Sequence, residues 1–274
     1  MPDIQNIIRF HYNNKCKYIW AVLKSLTEDI KQLDKRIIAV FILIPLCLIF
    51  IRYLGETDYL IETCTNLGYT DLSNTLSDYF KYNKNSKLYG LIYWIITIDI
   101  CYLLIPVLFI RFVLKDKVSN YAFSIKLEKN GLKLYLLMLV IMIPLVLYFS
   151  TTKSFQDRYP FYNISGNEAL WPKFWTWELF YLSHFFALEF FFRGFMLNSL
   201  KGRFGMYSIF IMCIPYCMIH FGKPMPETIA AIVAGIVLGY LSLRSNSIFL
   251  GFLIHVSVAL TMDMAALWRE GYFG

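Results

Sequence analysis

The stretch IIAVFILIPLCLIFIRYL, Ile37–Leu54, carries a single charged residue, Arg52, near its far end. A helix needs roughly 20 apolar residues to cross a hydrocarbon core of about 30 Å, so this run reads as a membrane span. Similar runs follow at Leu88–Val113, Leu132–Phe149, Phe174–Leu197, Phe204–Phe221, Thr228–Leu243 and Ile248–Trp268. Pro45, Pro106, Pro144 and Pro215 lie inside them, which is tolerated where neighbouring helices repair the lost hydrogen bond. No period-two alternation persists, so strands are not expected. The fold class predicted is all-α, a polytopic transmembrane helical bundle of about seven spans.

Composition agrees with that reading. Of 274 residues, 58% are apolar, 18% aromatic and 16% charged, and mean hydropathy is +0.51. Soluble domains carry about 25% charged residues. These values exclude a disordered chain, a coiled coil, a disulfide-rich secreted module and a water-soluble nucleic-acid binder. The net charge of +7 needs no nucleic acid, because basic residues gather in cytoplasmic loops and on anionic lipid. Six cysteines form no CxxC pair, and Cys47, Cys101, Cys213 and Cys217 sit within apolar runs. They read as buried thiols.

Residues 1–36 lack the form of a secretory signal, since the first long apolar run begins only at Ile37. Ile19, Trp20, Leu23, Leu26, Ile30 and Leu33 recur at helical spacing among Lys24, Asp29, Lys31 and Asp34. This predicts an amphipathic helix, either at the membrane surface or packed on the bundle. Residues 1–36 also hold Arg9, Lys15, Lys17, Lys24, Lys31, Lys35 and Arg36, whereas 55–87 holds Glu56, Asp58, Glu62, Asp71 and Asp78. Lys115, Lys117, Lys126 and Lys129 follow the second span, and Lys201 and Arg203 the fourth. The positive-inside rule then places the N-terminus in the cytoplasm of a cell (inner) membrane. Three segments result: a cytoplasmic amphipathic region at 1–36, N-terminal transmembrane helices at 37–150, and a membrane core at 174–268.

Ionisable groups within spans mark functional sites by default, because burying them in hydrocarbon is costly. Asp99 stands alone in the second span; His184, Glu189, Arg193, His220, His255 and Asp263 cluster in the last third. Glu189 and Arg193 share a helix face at i,i+4 spacing, the favourable order for an ion pair. A carboxylate and two histidines on three separate helices suggest one polar pocket. Two chemistries fit. Glu189 and one His can deprotonate a water while the other His stabilises an oxyanion, or Glu and two His can hold zinc. The spacing matches no compact zinc motif.

At these residues the chain resembles the CPBP family of intramembrane proteases, relatives of the type II CAAX prenyl endopeptidases that include bacterial Abi-type proteins. The resemblance rests on Glu189-Phe190-Phe191-Phe192-Arg193, on Tyr216 four residues before His220, on His255, and on the intervening Pro215, HFGKP, Gly235, Gly239 and Ser247-Ile248. It spans about residues 175–260. Two positions depart from the family's pattern. Leu188 stands where the family has the first Glu of a pair, and Ala259 where it has Asn or a similar residue. Tyr216 also replaces the usual Phe.

The resemblance implies an endopeptidase cleaving a membrane-associated peptide or protein in or near the bilayer. Glu189 and His220 would handle the water, His255 the oxyanion, and Arg193 would position Glu189. No cofactor is expected, zinc being the alternative, and the partners implied are membrane lipid and a peptide, without nucleic acid. Glu178, about 16 Å up the helix, and Asp263, about 12 Å beyond His255, are too distant to replace the missing Glu. The rival expectation is a catalytically degenerate scaffold or immunity-type protein that binds a peptide without cleaving it. A transporter is weaker, because no internal repeat is visible.

Overall fold

The computed structural model describes residues 4–126, 129–164 and 168–273. It divides into two compact units, 1–42 and 43–274. The first unit contains helix α1, Ile4–Gln32, and the opening turns of α2, Lys35–Leu54. Asp34 separates them, its Oδ1 accepting the Arg36 N–H at 2.8 Å. That contact satisfies one of the donors a helix start leaves open. Residues 17–36 are exposed on every face, Ile19, Trp20, Leu23, Leu26, Ile30 and Leu33 among them.

The second unit is helical throughout, and no strand occurs among the described residues. After the rest of α2 come two short helices, α3, Thr57–Asn66, and α4, Thr70–Ser77. Helix α5 runs from Ser86 to Val113, with π-helical turns at Ile100–Leu104 and Phe109–Val113. The first of these turns lies just before Pro106, which has no N–H to donate to an α-helical ladder. Helix α6 is Lys129–Phe149. A continuous run over 173–204 comprises α7, Lys173–Glu189, a π-helical segment, Phe190–Met196, and α8, Leu197–Phe204. Three helices complete the unit: α9, Tyr207–Met218, α10, Met225–Ser245, and α11, Phe249–Arg269.

Among the described residues, five helices are long and apolar enough to cross a membrane: Lys35–Leu54, Ser86–Val113, Gly131–Phe149, Met225–Ser245 and Phe249–Arg269. Each coincides with an expected span. The other two expected spans take a different form. The run over 173–204 carries Glu178, Glu189 and Arg193 and is the most enclosed helix of the bundle. Phe174, Trp177, Phe190, Phe191, Phe192 and Phe195 on it are essentially inaccessible. The stretch Phe204–Phe221 is shortened at both ends. Gly205, at φ 53°, ends α8, and α9 stops at Met218 after 12 residues, about 18 Å of helix. His220 consequently lies in the turn beyond α9.

Helix α11 packs along α6 and α7, α5 packs on α7, and α9 pairs with α10. The aromatic face of the π-helical segment stacks on α5 through Tyr102 and Phe191, 4.5 Å between ring centroids. The α10–α11 connection is tied to the segment preceding α6. Ser247 Oγ donates to the carbonyl of Ser124 at 2.8 Å, and the Ile248 N–H to that of Ala122 at 3.1 Å. Leu136, Leu137 and Val140 on α6 and Ile229 and Ile232 on α10 face outward, as lipid-facing side chains do. The protein is a multi-pass helical membrane protein.

Candidate active site

Glu189 is the last residue of α7 before the helix loosens into its π-helical segment. Such segments are frequent at functional sites. Its carboxylate is 1% exposed and is gripped from two sides. Arg193 Nη1 lies 3.1 Å from Oε1, and His255 Nδ1, on α11, lies 2.8 Å from the same oxygen. The approach of α11 depends on Gly251. A Cβ there would fall 2.7 Å from Glu189 Cδ, so any larger residue would displace the carboxylate.

The far side of His255 is also occupied. Its Nε2 is 2.9 Å from the Tyr216 hydroxyl, and its ring stacks on Phe185 at 5.5 Å. A proton on Nδ1 would face the carboxylate and leave Nε2 to accept from the phenol; the Nδ1–Oε1 approach itself is an ion-pair contact without hydrogen-bond alignment. Glu189, His255 and the Tyr216 hydroxyl thus lie in a row across three helices.

Tyr216 is itself held tightly. The Arg193 guanidinium lies 3.8 Å from its ring centroid, a cation–π contact in a desolvated setting. Phe192 meets the ring edge-on at 5.3 Å. On the α10 side, a Cβ on Gly235 would sit 3.1 Å from Tyr216 Cδ1, so a glycine is what lets α10 lie against the ring. Arg193 serves two partners at once: it neutralises Glu189 and braces Tyr216.

His220 packs edge-on to Tyr216 at 4.8 Å. Its Nδ1 donates to the Tyr216 carbonyl at 2.8 Å, and its own carbonyl accepts from Thr228 Oγ1 at 3.0 Å. In the neutral ring the lone pair then sits on Nε2. Tyr216, His220 and His255 all line one cavity of about 530 Å³ whose other walls are mostly aliphatic side chains of α6, α10 and α11. Glu189 reaches this space only through His255.

Of the residues singled out in the sequence, Glu189, Arg193 and His255 meet directly, and His220 joins them through Tyr216. Asp99 lies apart on α5, His184 donates Nδ1–H to the Tyr181 carbonyl within its own helix, and Asp263 accepts the Phe161 N–H at 3.2 Å. Glu178 faces Asp263 rather than the histidines.

Two features escaped sequence reading. The Tyr216 hydroxyl was visible only as a departure from Phe, with no sign of its partner. Glu227, which also lines the cavity, carries no motif at all. Its carboxylate accepts from Lys223 Nζ at 2.6 Å and from the Tyr159 hydroxyl at 2.7 Å. Only its i,i+4 spacing from Lys223 hinted at a pair.

No curated protein and no solved structure matches this chain. Residues 170–261, the segment holding Glu189, Arg193, Tyr216, His220 and His255, match the family model described as type II CAAX prenyl endopeptidase Rce1-like, in agreement with the CPBP resemblance of these motifs.

Proposed function

We propose that the chain is an intramembrane endopeptidase of CPBP type that hydrolyses a peptide bond of a membrane-associated substrate in or near the bilayer. The observation that carries this reading is the 2.8 Å contact of Glu189 with His255 Nδ1 beside a cavity that also exposes His220. His220 Nε2 takes the proton of the attacking water. Glu189 acts through His255, fixing its tautomer and charge, and Arg193 holds Glu189 in place. His255 serves the oxyanion side of the same cavity.

Zinc does not suit this donor set. Both ring nitrogens of His255 have protein partners, and the Glu189 carboxylate is committed to Arg193 and His255. A ligand histidine needs one nitrogen open to the metal. No step here runs through a metal, and 1,10-phenanthroline should leave the rate unchanged.

The test is cleavage of a fluorescence-quenched farnesylated CAAX peptide, together with an unprenylated transmembrane peptide, by the protein in phospholipid vesicles. Wild type should cleave at least one. His220→Ala and His255→Ala should lose about 10²–10⁴-fold, the span of general acid–base contributions. Intact peptides with wild type, or unchanged rates in both variants, would refute the reading. The alternative of a peptide-binding scaffold rests on Leu188 and Ala259, buried hydrocarbon at two positions where the family resemblance expects polar groups. It predicts retention of these peptides on the vesicles without products. The basic N-terminal segment supports a cytoplasmic N-terminus in an inner membrane, which a protease-accessible N-terminal tag on inverted vesicles tests.

A further inference from the structure

We infer that the Tyr216 hydroxyl is the group that meets the substrate carbonyl, and that His255 acts on the substrate through it. This deepens the protease reading and rests on it. Family resemblance leaves the oxyanion side incomplete, because Ala259 offers a methyl where an amide or similar donor is expected. Ala259 is buried on α11, one turn beyond His255. His255 cannot make good the loss alone. Its Nδ1 lies against Glu189 and its Nε2 against Tyr216 Oη, so a protein group already stands at each ring nitrogen, although the side chain is 17% exposed. The hydroxyl interposed on Nε2 belongs to a cavity-lining residue, and it sits at the one motif position where this chain has gained a polar atom rather than lost one.

The chain Glu189–His255–Tyr216 has two protonic arrangements. With neutral His255, the phenol donates to Nε2. With His255 protonated and paired to Glu189, Nε2–H donates to Oη, and the phenol proton is released to point elsewhere. Only the second arrangement offers a donor to substrate. In the reaction, water loses one proton to His220 Nε2 as its oxygen bonds to the scissile carbon. The C=O π pair moves onto the carbonyl oxygen, which receives the Tyr216 O–H hydrogen bond, itself polarised by His255 Nε2–H. On collapse the C–N bond breaks, its electron pair leaves with nitrogen, and the amine takes the proton held by His220. Tyr216 and His255 end as they began. The Arg193 guanidinium at 3.8 Å from the ring centroid favours the electron-rich phenol oxygen that a shared proton produces.

Tyr216→Phe keeps the ring between Arg193 and Gly235 and installs the family's usual residue. The experiment compares wild type, Tyr216→Phe, Ala259→Asn and the Tyr216→Phe/Ala259→Asn pair on the farnesylated CAAX peptide in phospholipid vesicles. Tyr216→Phe should lower kcat by about 10²-fold, the usual loss for one oxyanion donor, with KM within about twofold. Ala259→Asn should change wild type little and restore at least tenfold to Tyr216→Phe, because it returns a donor one turn away. A structural role for the hydroxyl moves neither the kcat-to-KM split nor the rescue. Tyr216→Phe cleaving at the wild-type rate would overturn the assignment while the protease reading stands. A wild-type chain that leaves the peptide intact would overturn both. Folding is checked in each variant by the intrinsic tryptophan emission. If Ala259→Asn fails to fold, Ala259→Ser supplies the donor, and absence of rescue by a folded Ser variant counts against the assignment.

Discussion

Arg193→Met isolates the stake the fold has in the Glu189 ion pair. Arg193 is fully buried and Glu189 nearly so, and methionine keeps an unbranched stem of similar reach in place of the guanidinium. At 3.1 Å and an effective dielectric of about 20, the lost attraction is about 5 kcal/mol. Breaking a buried pair by removing one partner costs about 3–5 kcal/mol by mutational precedent, so the two routes agree. The His255 ring at 2.8 Å still faces the carboxylate and offsets part of the loss, which places the expectation toward the lower end of that range. The assay is equilibrium unfolding by SDS in mixed micelles, followed by tryptophan emission. The decisive comparison is with Glu189→Gln/Arg193→Met. Once the carboxylate is neutral, the empty guanidinium site strands no charge, and the double variant should regain about 2 kcal/mol or more over Arg193→Met. A single variant within about 1 kcal/mol of wild type, or a double variant as unstable as the sum of its parts, would refute the claim that this pair is closed to water and mutually dependent.

Three further outcomes follow from neighbouring contacts. Gly251→Ala should destabilise by about 1–3 kcal/mol through overpacking, since its Cβ would meet Glu189 Cδ at 2.7 Å, and should slow peptide cleavage although Gly251 is absent from the cavity wall; wild-type stability in SDS titration would contradict it. Tyr159→Phe removes a hydrogen bond to the Glu227 carboxylate and should cost about 1.5–3 kcal/mol, read in the same titration, with a neutral effect showing that this bond adds nothing to stability. Ser247→Ala should cost about 1 kcal/mol and speed hydrogen exchange at the Ile248 amide, whose bond to Ala122 the serine hydroxyl helps hold in place; unchanged exchange would show that the connection holds without it.

Much of the fold was legible because hydrocarbon imposes a simple rule on sequence. A lipid-spanning helix must be apolar over a fixed length, and α2, α5, α6, α10 and α11 each satisfy it. The rule says less about helices shielded by protein. The run over 173–204 admits Glu178, Glu189 and Arg193 because other helices surround it. Helix α9 can be short because it packs on α10 rather than needing to reach both surfaces alone. The shortening matters for the site. Ending α9 at Met218 leaves His220 in a turn folded back on the Tyr216 carbonyl.

The site was legible in its members and not in its wiring. The i,i+4 spacing of Glu189 and Arg193 gives their pairing directly, since both lie on one helix. The contact with His255 depends on Gly251, which reads in sequence as any other glycine of a membrane helix. Its role exists only because α11 is pressed against a carboxylate arriving from α7. The same limit hid the Tyr216 hydroxyl. Spacing ties Tyr216 to His220 on its own strand of chain, whereas the bond that gives the phenol chemical meaning crosses to His255 on α11. Leu188 and Ala259 look like simple losses along the chain; with the helices packed, a polar atom gained at Tyr216 stands beside the histidine those losses had left without help. In the proposed mechanism, the donors that converge on the cavity, rather than the motif read along the chain, decide whether the site can work.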